Sequence, residues 1–261
     1  MSARATGAPL LNARALQKSF GGVHAVDGIS FEVAAGTIFA LIGPNGAGKS
    51  TTLNLLSGIY QPDQGTLALG GRELAGLPAW RRARLGLART FQKIRLFKQL
   101  SVLDNVSAGF HVHHRIPVWQ YVLPGRARRA DAARCRDEAL ALLEFVGLAE
   151  VATARAGALA YGQQRLLEIA RALATRPTLF MLDEPAAGLN GAEVEFLVER
   201  LTALRDRGIT LIVVEHNMDL VMSVAQHVFV MDHGRFLFEG TPRQVQENPD
   251  VIAAYLGGES L

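Results

Sequence analysis

The sequence has little cysteine, no long apolar run and no marked excess of one charge. Cys135 is the single cysteine among 261 residues, which excludes an internal disulfide and argues against a thiolate zinc site. No stretch approaches the ~20 apolar residues that a membrane-spanning helix needs, and residues 1–16 lack the apolar centre of a signal peptide. A formal charge of +3 is too small to indicate nucleic-acid binding. We therefore expect a cytosolic protein.

The chain has enough apolar sequence for a large core. Hydrophobic residues make up 49% of it, and 261 residues is near the upper end of single-domain size. We expect one domain with a subdomain rather than two domains.

A glycine-rich pattern near the start of the chain carries the most information. It follows G-x-x-x-x-G-K-[ST] and comprises Gly43, Pro44, Asn45, Gly46, Ala47, Gly48, Lys49, Ser50 and Thr51. The apolar run 37–42 precedes it and leucines at 53, 55 and 56 follow it, as a buried strand and a helix should. Backbone N–H groups of such a loop and the positive end of such a helix bind phosphate oxygens. We predict a bound nucleotide whose β and γ phosphates meet Lys49, with Ser50 as a ligand of Mg²⁺.

Two further apolar runs deliver polar residues at their carboxyl ends, where α/β sheets bind ligands. Residues 178–182 lead into Asp183 and Glu184, and residues 209–214 lead into Glu215 and His216. Asp183 can hold Mg²⁺ through water, Glu184 can polarise an attacking water, and His216 can reach a γ-phosphate. The alternatives are an ordinary acidic turn and a structural histidine.

A second anion site is predicted at the segment 159–165. Gly162 stands before an amphipathic helix that Pro177 should end, and the first N–H groups of that helix attract an anion. Two anion sites are too many for one nucleotide. The geometry is satisfied if two domains face each other and share each nucleotide.

These motifs, in this order, resemble those of the ATP-binding subunits of ABC transporters, from about Lys18 to Leu256. The resemblance implies an α/β fold: a P-loop core with a mainly parallel sheet, an N-terminal antiparallel β portion and an inserted helical subdomain. It implies a single domain over 1–261, with the core at about 14–92 and 158–240, the subdomain at 93–157 and a helical tail at 241–261.

The same resemblance implies roles for residues that the motifs alone do not assign. Phe20 would stack on adenine, the alternative being a core aromatic, and Gln92 would sense Mg²⁺ and the attacking water. ATP would be held across a dimer by the partner's signature residues, which in this chain are Tyr161, Gly162 and Gln163. The turn 187–190 would reach the partner's site.

Finer patterns are similar to the ATPases of branched-chain amino acid importers, notably ARTFQ at 88–92 and the ending NPDVIAAYLG at 248–257. The stretch 111–136 looks like that of the longer-insert ATPase of the two that such systems use. Ala160 replaces the serine and Asn190 the aspartate of most ABC proteins, as in this subgroup. The implied partners are a second ATP-binding subunit, two membrane permease subunits and, indirectly, a substrate-binding protein, with the chain peripheral on the cytoplasmic face of the inner membrane.

Several alternatives stay open. Importers of urea or short amides, and exporters of lipid or lipopolysaccharide, use similar ATPases. Soluble ABC proteins that act on nucleic acid or the ribosome share the motifs, although they usually carry two such domains or long basic extensions. The basic residues at 126–136 form a solvated helix face or contact headgroups or a membrane partner, and the apolar segment 116–124 packs on the subdomain or touches a membrane subunit.

Overall fold

The computed structural model describes the backbone of residues 8–112 and 126–256, and the side chains of 8–112 and 133–255. The apolar segment 116–124 and the side chains of the basic run 126–129 lie outside these ranges. The predictions made for them therefore remain sequence-based.

The N-terminal part of the chain forms an antiparallel sheet in the order β2-β1-β4-β5. Its strands are β1 (Leu11–Phe20), β2 (Val23–Val33), β4 (Gln64–Leu69) and β5 (Arg72–Glu73). The predicted N-terminal antiparallel portion is confirmed.

The second sheet carries the strands that precede the predicted site residues. It consists of β3 (Ile38–Ile42), β6 (Leu87–Arg89), β7 (Leu179–Asp183), β8 (Thr210–Val214), β9 (His227–Asp232) and β10 (Arg235–Gly240). Their order is β10-β9-β3-β8-β7-β6, parallel throughout except for the antiparallel edge strand β10. Strands β3, β7 and β8 are buried at every residue because helices and the first sheet cover both faces. The predicted mainly parallel core is confirmed.

Helices fill the two faces of this sheet and form a separate layer. They are α1 (Lys49–Ser57), α2 (Ala79–Arg84), α3 (Val102–Gly109), α4 (Arg126–Phe145), α5 (Tyr161–Leu173), α6 (Gly191–Asp206), α7 (Met218–Val224), α8 (Pro242–Gln246) and α9 (Pro249–Leu256). Helices α3 and α4 build the predicted helical insertion around a core of their own, which includes Val106 and Leu143. Helix α5 joins that core through Leu167 and packs on the sheet through Ile169.

The bounds of α5 differ from those expected. The helix begins at Tyr161, so Gly162 is its second residue and not the residue before it. It ends at Leu173, before Pro177, because Arg176 adopts a left-handed conformation with φ 48° and its N–H donates to the carbonyl of Leu173. The helix therefore ends in a hydrogen-bonded turn that lies before Pro177.

The tail forms two short helices, as the sequence predicts. The Thr241 hydroxyl accepts a hydrogen bond from the N–H of Gln244, and Pro242 occupies the first helical position of α8. Val245 and Val251 belong to one apolar cluster with Ile42, the last residue of β3. The tail thus supports the strand that leads into the glycine-rich loop.

One arginine is fully buried beneath α1. The Arg82 guanidinium donates to the carbonyls of Leu55 and Leu56 at 2.6 and 2.9 Å, and to those of Leu74 and Leu77 at 3.0 and 2.9 Å. Burial lowers the pKa of Arg82 below its usual range. The side chain adds donors to carbonyls in the last turn of α1, where helix geometry leaves few backbone partners.

Candidate nucleotide site

The glycine-rich loop joins β3 to α1 in a conformation that requires glycine. Gly43 has φ 152° and Gly48 has φ 95°. A Cβ on Gly43 would lie 2.1 Å from the carbonyl oxygen of Met231, and one on Gly48 would lie 2.2 Å from that of Ala25. The loop backbone therefore passes closer to its neighbours than any side chain allows.

Lys49 is the first residue of α1 and is buried. Its ammonium donates to the carbonyls of Gly43 at 2.7 Å and Pro44 at 2.8 Å. An ammonium has three N–H donors, so the loop engages two and one remains for a ligand. Burial lowers the pKa of Lys49, while the charges of Glu184 and Asp183 raise it. Both carboxylates therefore act on the loop electrostatically.

Asp183 is the last residue of β7 and forms a buried ion pair. Its Oδ2 accepts a hydrogen bond from Arg89 at 2.8 Å, with both side chains about 5% exposed. Arg89 was not assigned a role from the sequence. The available signal was a charged residue closing the short apolar strand β6, beside β7 in the sheet.

Glu184 lies at the centre of a hydrogen-bonded chain. Its Oε2 accepts from Gln92 Nε2 at 2.9 Å, and its Oε1 accepts from His216 Nε2 at 3.1 Å. Its backbone has φ 49°, a conformation that a residue other than glycine rarely adopts. The structure thus brings together Gln92, Glu184 and His216, which lie far apart in sequence.

Glu215, next to His216, has a different environment. Its Oε1 accepts from the N–H of Ala186 at 2.7 Å, and its Oε2 accepts from the N–H groups of His216 and Asn217 at 3.0 and 3.3 Å. The side chain is 3% exposed. It fixes the loops after β7 and β8 relative to one another.

The glycine-rich loop and the hydrogen-bonded residues around Glu184 line one cleft of about 310 Å³. Loop residues 45–51 line it together with Gln92, Glu184 and His216. Phe20 is not among the lining residues: its ring is 44% exposed and contacts the edge of Tyr60, with centroids 5.2 Å apart. Stacking of Phe20 on adenine stays a prediction.

The cleft offers oxygen ligands of the kind that Mg²⁺ prefers. The Ser50 hydroxyl and the Gln92 amide both line it, and Gln92 uses its amide nitrogen toward Glu184, which leaves the amide oxygen as an acceptor. Only one oxygen of Asp183 is engaged by Arg89. The residues present therefore fit a magnesium ion.

The start of α5 exposes backbone donors. Ala160 precedes the helix, and within the described residues no side chain caps its first N–H groups. Gln163 Oε1 accepts from the N–H of Ala160 at 3.2 Å, and Tyr161 is 48% exposed.

The start of α5 also contacts the start of α6. Gly162 lies against Glu193, since an added Cβ would be 2.3 Å from Glu193 Oε1. Asn190 caps α6 by accepting from the N–H of Glu193 at 3.0 Å.

A buried ion pair on α5 holds the segment that contains Gln92. Arg165 donates to the carbonyls of Phe91 and Gln92 at 2.8 and 3.1 Å, and Glu168 accepts from the N–H of Arg95 at 3.2 Å. The two side chains are 3.1 Å apart and are at most 2% exposed. Burial raises the pKa of Glu168, opposed by the Arg95 N–H and the Arg165 charge. The helix that begins at Tyr161 is thus joined to the loop that touches Glu184.

A groove of about 360 Å³ lies beside this segment, between α2, α3 and α5. Phe97, 53% exposed, and Arg171 line it, with the guanidinium 5.6 Å from the ring centroid. Glu168 lines the groove as well. The groove therefore adjoins the Arg165–Glu168 ion pair that holds the Gln92 segment, which we call the clamp on Gln92. Within the described ranges, no helix is both long and apolar enough to cross a bilayer.

A glycine-rich loop that opens a helix, together with a glutamate at the end of another parallel strand of the same sheet, defines a P-loop ATPase. Comparison with known proteins narrows this class. Residues 26–187 match the family model described as ABC transporter, and residues 237–260 match one described as branched-chain amino acid ATP-binding cassette transporter. The chain belongs to the ABC transporter family, as an ATP-hydrolysing cassette, and the predicted resemblance is confirmed.

Similar proteins agree over almost the whole chain. The high-affinity branched-chain amino acid transport ATP-binding protein BraF of Pseudomonas aeruginosa is 44% identical over 250 residues, covering 95% of this chain and 98% of the relative. LivG of Escherichia coli K12, described in the same words, is 43% identical with the same coverage. The solved ADP conformation of MJ1267, an ATP-binding cassette of an ABC transporter, superposes with a TM-score of 0.83 at 30% identity, covering 96% of this chain and all of that one. The predicted fold is confirmed.

Proposed function

We propose that this chain is the ATP-hydrolysing subunit of an importer of branched-chain amino acids. The observation that supports the substrate class most directly is the 43–44% identity to LivG and BraF over 95% of the chain, together with the match of residues 237–260. The chain would work as a peripheral subunit on the cytoplasmic face of the inner membrane, with two permease subunits above it. Uptake of radiolabelled leucine by the complete system tests this assignment. Uptake of urea but not leucine would overturn it while leaving the ATPase mechanism in place.

The loop and Lys49 bind the phosphates in this proposal. The backbone N–H groups of residues 45–51 and the start of α1 surround the β phosphate, and Lys49 extends its remaining donor to the γ phosphate. Mg²⁺, held by Ser50, Gln92 and, through water, Asp183, would neutralise charge that develops on the phosphate oxygens. Phe20 would lie beside the adenine.

Glu184 is the general base of the proposed reaction. Each carboxylate oxygen has two acceptor sites, so a water can donate to Glu184 while Gln92 and His216 keep it oriented. The His216 ring donates a hydrogen bond to Glu184 and lines the same cleft, from which it would turn toward a γ-phosphate. The carboxylate is thus aimed before the nucleotide arrives.

Two cassettes would complete each site. The N–H groups at Tyr161, Gly162 and Gln163 have no side-chain cap in the described structure and would bind the γ phosphate held by the partner's loop. Because Ala160 has no hydroxyl, these backbone groups and the Gln163 amide carry that contact. The Arg165–Glu168 clamp would then link closure at the partner's nucleotide to the position of Gln92.

We expect Gly162→Asp to prevent ATP-dependent dimerisation of the Glu184→Gln variant. The new carboxylate would lie against Glu193 and add a second negative charge at the start of α5, which would repel the γ-phosphate of the partner's nucleotide. Gly162→Ala is the matched control, because it places the same Cβ against Glu193 without adding charge. Light scattering should show a monomer without nucleotide, a dimer with ATP in the parent and the alanine variant, and a monomer in the aspartate variant. A dimer of equal stability with and without ATP, in all variants, would rule out the shared site.

The groove beside Phe97 would receive a short helix from a cytoplasmic loop of a permease subunit. It combines an exposed ring with Arg171 and Glu168, as a mixed apolar and polar docking groove does. It also touches the clamp on Gln92, which gives the docked helix a physical path to the nucleotide site. The second cassette of the dimer would be a shorter-insert ATPase.

We expect Phe97→Glu to abolish leucine uptake while ATP affinity of the isolated chain stays unchanged. Loss of a central aromatic contact costs about 2 kcal/mol or more, so docking should weaken by more than about tenfold. Leu96 is less suitable for substitution because it packs in the α3–α4 core. Phe236→Glu, at an equally exposed ring on β10, is the control. Normal uptake by the Phe97 variant would refute docking at this groove.

A further inference from the structure

The guanidinium of Arg89 connects two parts of the nucleotide site: the carboxylate of Asp183 and helix α1, which follows the glycine-rich loop. It pairs with Asp183 Oδ2 at 2.8 Å, and its other terminal nitrogen donates to Asn54 Oδ1 at 2.7 Å and Ser57 Oγ at 3.0 Å in α1. The ring of Phe91 lies 5.1 Å from the guanidinium carbon. Arg89 is therefore held in place independently of Asp183, by the helix that Lys49 begins.

Such an arrangement supplies a permanent positive charge next to a carboxylate that, in the proposed function, would also help to hold a metal. A buried carboxylate without a partner is strongly destabilising, so Arg89 stabilises the protein when no metal is near. When Mg²⁺ is bound, the same carboxylate has two cationic neighbours, and these repel one another. Arg89 should therefore stabilise the protein without Mg²⁺ and reduce the additional stability that the protein gains when Mg²⁺ binds.

We propose that Arg89 is an internal counter-cation for Asp183, which stabilises the metal-free site and reduces its response to Mg²⁺. This inference rests on the proposed role of Asp183 at the metal. It assigns Arg89 a positioning role at the ATP site, with its effect on the response to Mg²⁺ acting through Asp183. The positive charge is what matters, so Arg89→Lys should preserve much of the effect.

The test is thermal unfolding of the full chain with ATP, in EDTA and across a Mg²⁺ titration. Arg89→Met should unfold several degrees lower than wild type in EDTA. Addition of Mg²⁺ should then raise its midpoint by about 3 °C more than it raises that of wild type, which corresponds to roughly 1 kcal/mol of extra metal stabilisation. Half-maximal stabilisation should occur at a Mg²⁺ concentration about three- to tenfold lower.

Arg82→Met is the matched control, because Arg82 is also a buried arginine bonded to α1, and its hydrogen bonds among the described residues go to carbonyls and to Gln61 and not to a carboxylate. It should lower the midpoint equally with and without Mg²⁺. The double variant Arg89→Met/Asp183→Asn should be more stable in EDTA than Arg89→Met alone, since no unpaired carboxylate remains.

The outcomes separate this inference from the site assignment. If Asp183→Asn keeps the full Mg²⁺ response of wild type, both the assigned role of Asp183 and the role of Arg89 are wrong. If Asp183→Asn loses that response while Arg89→Met shows an equal or smaller response than wild type, only the counter-cation role is overturned.

Discussion

Replacing Glu184 with glutamine is expected to lower ATP turnover by about 10²- to 10⁴-fold, the usual cost of removing a general base. Glutamine has nearly the same shape, and its amide oxygen can accept from Gln92 or His216, so the surrounding chain of hydrogen bonds is largely kept. ATP binding should stay close to that of wild type because the loop and Lys49 are untouched. Steady-state hydrolysis in the assembled transporter and nucleotide affinity of the isolated chain measure the two effects.

The control for Glu184 is Glu199→Gln, at a carboxylate on α6 that is 67% exposed. It should hydrolyse ATP at the wild-type rate. Wild-type turnover by the Glu184 variant would show that another group activates the water.

Replacing Lys49 with alanine is expected to remove most of the affinity for ATP. The variant loses the only side-chain ammonium among the described residues that line the cleft, and with it a charged hydrogen bond worth about 1.5–3 kcal/mol, which is about 10- to 100-fold or more in affinity. Desolvation already lowers the pKa of Lys49, so its charge is only weakly hydrated and is available to the phosphates. Equilibrium binding of ATP and ADP provides the measurement.

Lys98→Ala, at an exposed lysine outside the cleft, should bind nucleotide normally. Thermal unfolding of the Lys49 variant should confirm that it is folded, because Lys49 also supports the loop carbonyls. A folded variant that binds ATP within about threefold of wild type would contradict the role of Lys49.

The sequence predicts best those site residues that follow uniformly apolar strands. Asp183, Glu184 and His216 can be predicted as site residues because β7 and β8 are buried on both faces, so their apolar runs end where the strands end. The glycine-rich loop was found because its backbone requires glycine at fixed spacing. These signals are local, and a short window of sequence contains them.

The residues that sequence reasoning missed act through contacts between distant segments. Arg89 meets Asp183 across 94 positions, and Arg165 meets Phe91 across 74. Nothing local distinguishes such an arginine from a solvated one, because its partners are known only once the strands and helices are placed. The start and end of α5 were misjudged for a related reason: Gly162 and Pro177 are compatible with a helix boundary but do not determine it.

The buried Arg82 has a consequence for how the chain folds. The last carbonyls of α1 gain their donors from a side chain that lies 26 to 27 positions further on. Until the polypeptide through α2 has been synthesised and folded back, the end of the phosphate-loop helix lacks those partners and frays. Helix α1 therefore gains these last hydrogen bonds only after α2 has been synthesised and has packed against its end.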